Sequence, residues 1–189
     1  MRPPVRLVVG LGNPGRAYQR THHNLGFMVL DHHVQHLGLR FQKTRDRAEV
    51  AEAGGVHFLK PLTFMNLSGE AVGPFCHDHR ISVDELVVVC DDLDLPPRAL
   101  RIRPGGGSGG HKGLKSLIHT LGTDQFARLR VGIGHPTEPG MGAIDWVLAR
   151  LPKDQDWDGA VAAASQALAV ILDEGVEAAM NRFNGVAPA

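Results

Sequence analysis

Cysteine is scarce in this 189-residue sequence: two residues, Cys76 and Cys90, with no C-x-x-C spacing. That argues against a disulfide framework or a cysteine zinc site and fits reduced, buried thiols of a cytosolic protein. Net charge is also missing, with 20 Lys and Arg against 20 Asp and Glu. No global field therefore steers the chain to nucleic acid. No apolar run approaches membrane-spanning length, and the one near the N-terminus is too short for a signal peptide. There is no G-x-S-x-G elbow, so a serine nucleophile is not indicated. Gly110-His111-Lys112-Gly113 lacks the G-K-[ST] order of a nucleotide-triphosphate loop.

The composition itself is that of an ordinary globular protein, 43% hydrophobic and 21% charged. Its length suits a single domain spanning residues 1–189 with a full-sized core. Charge is unevenly spread. Arg98, Arg101, Arg103, Lys112, Lys115, Arg128 and Arg130 face one acid, Asp124, in the stretch 98–130. From Glu138 to Glu177 eight acids face Arg150 and Lys153. A basic block beside an acidic one suggests a polyanion-facing surface, or else a solvated charged face.

Residues 6–24, RLVVGLGNPGRAYQRTHHN, carry the strongest local pattern. Leu7, Val8 and Val9 read as a buried strand, and Gly10, Gly12, Pro14 and Gly15 force a tight turn at its C-terminal end. Ligands collect at that end in open α/β sheets. The turn delivers an amide, Asn13, and the next segment an imidazole. The stretch also fits G-x-G-x-x-G. However, no helical pattern begins inside it, and no acid follows at the end of a second strand, so dinucleotide binding is disfavoured.

Residues 24–38 have helical spacing, with Asn24 or Thr21 as caps and Gly38 as the stop. His32, His33 and His36 ride on this helix without a carboxylate at ligand spacing. Residues 48–53 and 56–60 flank Gly54-Gly55, a two-residue hairpin. Asn66 stands where it could cap the next helix or line a site. LVVVC, 86–90, is the most strand-like run and ends in Asp91, Asp92 and Asp94. These acids could bind Mg²⁺, or one could orient an imidazole. Residues 98–103 alternate basic and apolar, which puts Arg101 and Arg103 on one face of a strand. The glycine-dense segment 104–113 could bring backbone N–H groups to an anion, or be a surface loop. Residues 128–134 read as another central strand, and the chain from Pro152 as an acidic, alanine-rich helix. Strand–helix alternation predicts an α/β fold: a twisted mixed sheet with helices on both faces.

With these residues in view, the sequence resembles the bacterial peptidyl-tRNA hydrolase family. The matching stretches are VGLGNPG (9–15), Tyr18 with T-x-H-N-x-G (21–26), P-x-TFMN-x-SG (61–69), DDLDLPP (91–97), GGGSGGHKGLKS (105–116) and RLRVGIGHP (128–136). The resemblance implies hydrolysis of the ester joining a peptide to the 3′ ribose of tRNA. It implies no metal and no cofactor, peptidyl-tRNA as partner, no membrane, a monomer and a cytoplasmic setting. It also implies His23, not His22, as the catalytic imidazole, Asp91 as its orienting acid, and Asn13, Tyr18 and Asn66 as substrate contacts. Lys112 stands where the family pattern has Asn, and so either positions substrate or meets tRNA phosphate. Arg101, Arg103, Lys115, Arg128 and Arg130 are candidates for further phosphate contacts. A binding-only RNA protein or a metal-dependent hydrolase on the three aspartates are the competing readings. The chemistry suits metal-independent ester hydrolysis: a neutral imidazole can strip a proton from water, and side-chain amides can hold the oxyanion.

Overall fold

The computed structural model describes residues 4–44 and 47–187. Apolar runs without polar alternation need cover on both sides, and they form the middle of the sheet. These are β1 (Leu7–Gly10) and β5 (Leu86–Asp92), whose residues are all buried. They pair in parallel, Val8 opposite Val87, with β4 (Val56–Pro61) parallel on the far side of β1. On the far side of β5 lies β7 (Ala127–Gly132), also parallel, with Asp91 opposite Val131.

Three antiparallel strands complete a mixed seven-stranded sheet: β2 (Gln42–Lys43), β3 (Ala48–Ala53) and β6 (Leu100–Arg103), in the order β2-β3-β4-β1-β5-β7-β6. The β3–β4 turn is the glycine pair expected from the sequence. Gly54 and Gly55 have φ of 58° and 81°, which suits a turn needing two positive φ angles.

Alternate residues along the strands feed two apolar layers. Val8, Val87, Val89, Leu129 and Val131 meet α1 (Leu25–His36), α5 (Trp157–Glu174) and α6 (Val176–Phe183). Leu7, Val9, Val88 and Cys90 meet α2 (Gly69–Asp78) and α3 (Lys112–Leu121). Helices thus cover both faces, as the alternation predicted.

Two expectations change. The acidic segment after Pro152 is two helices, because Gly175 takes φ 93° between α5 and α6. A further short helix, α4 (Ala143–Leu148), was not visible in the sequence pattern. It has six residues, too few for a periodic signal to emerge. The last helix lies against β6, and the Asn184 side chain bonds the free backbone of that edge strand. It accepts from Ile102 N–H at 2.7 Å and donates to its carbonyl at 3.0 Å. An unpaired sheet edge is thereby closed.

The start of α1 sits unusually close to the sheet. A Cβ on Gly26 would lie 2.4 Å from the Val89 carbonyl oxygen and 2.5 Å from Leu11 N, and one on Gly10 would lie 2.4 Å from the Gly26 carbonyl. Backbone on both sides leaves nothing to yield. Gly26→Ala should therefore destabilise the fold by roughly 2–4 kcal/mol. Urea denaturation measures this; an unchanged midpoint would contradict it.

Candidate active site

The close approach at Gly26 brings the turn His22–Asn24 to the C-terminal ends of β1 and β5. Asn24 stands at the N-cap position of α1, one of the two the sequence offered, but its side chain makes no capping bond. It clamps the glycine turn instead: its carbonyl accepts from Asn13 N–H at 2.8 Å, and its amide donates to the Asn13 carbonyl at 2.9 Å. The Asn13 side chain passes the restraint on, its oxygen accepting from Met65 N–H at 2.8 Å. With that oxygen engaged, Asn13 offers the cavity its amide nitrogen. Asn66 lies one residue beyond Met65, exposed within the 3-10 turn Met65–Leu67. It does not cap α2, whose N-cap is Ser68.

Asp91 leaves the end of β5 with 3% exposure. Its carboxylate lies 2.9 and 3.0 Å from His23 Nδ1. A carboxylate only accepts, so Nδ1 carries a proton, and in the neutral ring Nε2 is then the free base. The same carboxylate takes a second imidazole, His111 Nε2, at 2.9 Å. His111 Nδ1 accepts from Gly113 and Leu114 N–H at 3.1 and 3.3 Å and so caps α3. Those two backbone donors fix the ring's proton on Nε2, where it meets Asp91. Burial alone would raise the Asp91 pKa, but His111 and His23 beside it, each donating a ring N–H to the carboxylate, outweigh that and hold the carboxyl well below its ordinary range.

His111 is the residue that reasoning from sequence missed. In the sequence it is one residue within the glycine-rich loop. The signal available was its place immediately before an apolar helical run, where a ring nitrogen can cap.

The three groups lie within 4.8 Å of one another, a spacing that could hold a metal ion. Their hydrogen bonding does not suit one, since His111 could ligate through Nε2 only by giving up the tautomer its capping role sets. The Mg²⁺ reading of the three aspartates fails on geometry, because each turns to a different partner. Asp91 takes the two imidazoles; Asp92 pairs with Arg130 at 2.6 Å; Asp94 pairs with His135 at 2.8 Å.

These groups line a cleft of about 590 Å³ with Asn13, Tyr18, Asn66, Gly109, Gly110 and Lys112. Its mouth is apolar: Phe64 is 57% and Ile144 59% exposed, with Leu148 beside them. All six residues expected to be catalytic or to touch substrate, His23, Asp91, Asn13, Tyr18, Asn66 and Lys112, therefore face one space. His22 does not; it is buried and turned toward α4.

The arginines divide. Arg101 and Arg103 lie on the α3 side of β6, half-exposed and exposed, and Lys115 is exposed on α3. Arg130 reaches the surface as half of its pair with Asp92. Arg128 is a correction to the phosphate-contact candidates. It is buried against the Phe126 ring and donates to the Gly107 and Asp124 carbonyls, pinning the glycine loop. Neither thiol is a nucleophile: burial pushes Cys76 up to about 11 and Cys90 higher still.

Comparison with known proteins finds related sequences and a related fold. A family model described as "Peptidyl-tRNA hydrolase" matches residues 7–189. The chain is 43% identical over 186 residues to a peptidyl-tRNA hydrolase of Desulforamulus reducens, covering 95% of this chain and 89% of that one. It is 47% identical over 189 residues to one of Symbiobacterium thermophilum, covering 95% and 98%. A crystal structure of the Acinetobacter baumannii peptidyl-tRNA hydrolase superposes with a TM-score of 0.89 at 33% identity, covering 98% of this chain and 97% of that one.

Asp91→Ala would leave two buried imidazole N–H groups without an acceptor and should cost roughly 2 kcal/mol or more at pH 7. The folded carboxyl titrates below its unfolded value. Its contribution is therefore present above about pH 4 and lost as pH falls from there. Stability curves of wild type and variant should converge on acidification; curves that diverge would contradict this.

Proposed function

Since the chain belongs to the peptidyl-tRNA hydrolase family, we propose how its cleft carries out the hydrolysis of peptidyl-tRNA. The reaction cleaves the ester between the peptide's carboxyl end and the 3′ oxygen of the tRNA ribose. The observation that carries the reading is the bond between His23 Nδ1 and Asp91 at the cleft, which in the neutral ring makes Nε2 the free base. His23 Nε2 removes a proton from water as the oxygen attacks the ester carbonyl. The tetrahedral oxyanion is held by amide donors, Asn13 Nδ2 and Asn66. As the C–O bond breaks, the imidazolium returns the proton to the leaving ribose oxygen, giving a free peptide acid and tRNA. Asp91 keeps the ring in the required tautomer throughout, and His111 fixes Asp91. No residue forms a covalent intermediate.

The tRNA acceptor end is the partner, and Arg101, Arg103, Lys115 and Arg130 are the proposed phosphate contacts. Lys112 stands at the first position of α3, exposed at the edge of the cleft, and there it also meets phosphate. Tyr18 lines the peptide side. We read the 189 residues as one domain acting as a monomer in the cytoplasm. No described helix is long and apolar enough to cross a membrane.

His23→Ala should lower kcat for tRNA release from an N-blocked aminoacyl-tRNA by roughly 10²–10⁴-fold; retained turnover would sink the proposal. Lys112→Asn should leave kcat within about threefold while weakening tRNA binding and flattening its salt dependence by roughly one phosphate contact. A large loss of kcat would place Lys112 in the chemistry instead.

A further inference from the structure

Helix α4 is six residues long, below the length at which a helix holds itself. No side chain caps its start at Gly142. It nevertheless supplies one wall of the cleft through Ile144, Val147 and Leu148. The element it packs against is the His22–Asn24 turn.

His22 makes that contact. Its Nδ1 lies 2.9 Å from the Trp146 carbonyl and 3.1 Å from that of Ala149, so Nδ1 is protonated and donates to both. Its backbone N–H donates to Ala149 O as well, at 3.1 Å. The ring stacks on Trp146 at 4.3 Å, and the Trp146 indole N–H is fixed in turn by Gly134 O at 2.9 Å. The other nitrogen, Nε2, is buried with no hydrogen-bond partner among the described residues, and the ring lies near-perpendicular to that of Trp157, centroids 5.7 Å apart. Burial lowers the His22 pKa, with the two carbonyl bonds and Asp91 opposing. The neutral ring has a single N–H, and that N–H is spent on the end of α4.

We infer that His22 is a positioning residue: by latching the C-terminal carbonyls of α4, it sets the apolar wall on which the peptide's last side chain rests. One turn thus aims adjacent imidazoles in two directions, His23 at Asp91 and His22 at α4. This rests on reading the cleft as the hydrolytic site. Its consequence is selective. Phe64, Ile144 and Leu148 are the exposed apolar side chains of the cleft lining. A chain ending in a large apolar residue gains from contact with them, whereas one ending in glycine gains little. His22 then governs binding of such chains and not the cleavage step.

The test compares acetyl-leucyl-tRNA with acetyl-glycyl-tRNA. His22→Phe keeps the ring and its stacking but loses the N–H. It should raise KM for the leucyl substrate roughly five- to tenfold, with kcat within about threefold and the glycyl KM little changed. His22→Asn, which restores a donor near the Nδ1 position, should recover most of the leucyl KM. Amide exchange in 143–149 should quicken in His22→Phe and not in His22→Asn. If His22→Phe does not fold, the surface variant Ile144→Ser with Leu148→Ser decides, and should lose the leucyl advantage. Equal KM changes on both substrates, a fall in kcat alone, or an unaltered leucyl preference would overturn the inference. His23→Ala separates the two claims. If it is inactive while His22→Phe keeps the leucyl preference, only the inference fails; if it stays active, the reading beneath it fails.

Discussion

One carboxylate organises this molecule's cleft. Asp91 sits at the end of β5, between two parallel strands, and is almost wholly withdrawn from water. A buried anion is tolerated only when its lone pairs are met by donors. Here the donors are two imidazoles from separate parts of the chain, His23 before α1 and His111 before α3. The compensation that makes the charge tolerable is also what fixes both rings. The His111 ring is held from its far side by the backbone of the helix it caps, so Asp91 is anchored to α3 as well as to the sheet. The proposed base therefore sits on a rigid frame while its second nitrogen stays open to the cleft.

The remaining supports converge on the same point. Gly10 and Gly26 let α1 descend onto the sheet, and the Asn24–Asn13–Met65 relay ties the glycine turn to the segment before α2. Separate stretches of the chain are thus held around a few atoms by side-chain hydrogen bonds, most of them to backbone, and not by apolar packing alone. Charge and hydrophobicity separate around that centre. Arg101, Arg103 and Lys115 lie on the α3 side, suited to phosphate, and Phe64, Ile144 and Leu148 rim the mouth, suited to a peptide.

Much of the fold was legible because its signals are local. Continuous apolar runs gave β1, β5 and β7, Gly54-Gly55 gave the hairpin, and helical spacing with Gly38 beyond it gave α1. What was not legible depends on partners distant in sequence. Arg128 and Arg103 look alike in the chain and are register partners on neighbouring strands, yet one is buried under the glycine loop and the other exposed; only the loop's return over β7 separates them. The three aspartates after β5 invite a metal reading, and nothing local reveals that Arg130 and His135 divert two of them. Asn24 has the residue type of a cap but spends its amide on Asn13. His111 and α4 escaped for opposite reasons: the first was hidden in a run of glycines, the second too short to show a period.

Hydrolysis in this cleft turns on the place of one proton: His23 carries it on Nδ1, against Asp91, with Nε2 as the free base. Nitrogen-15 NMR of the imidazole rings reads this directly. At neutral pH the His23 Nε2 resonance should fall in the unprotonated range and Nδ1 in the protonated range, with the pattern lost in Asp91→Ala. A His23 ring protonated on Nε2 in the wild-type protein would contradict the account.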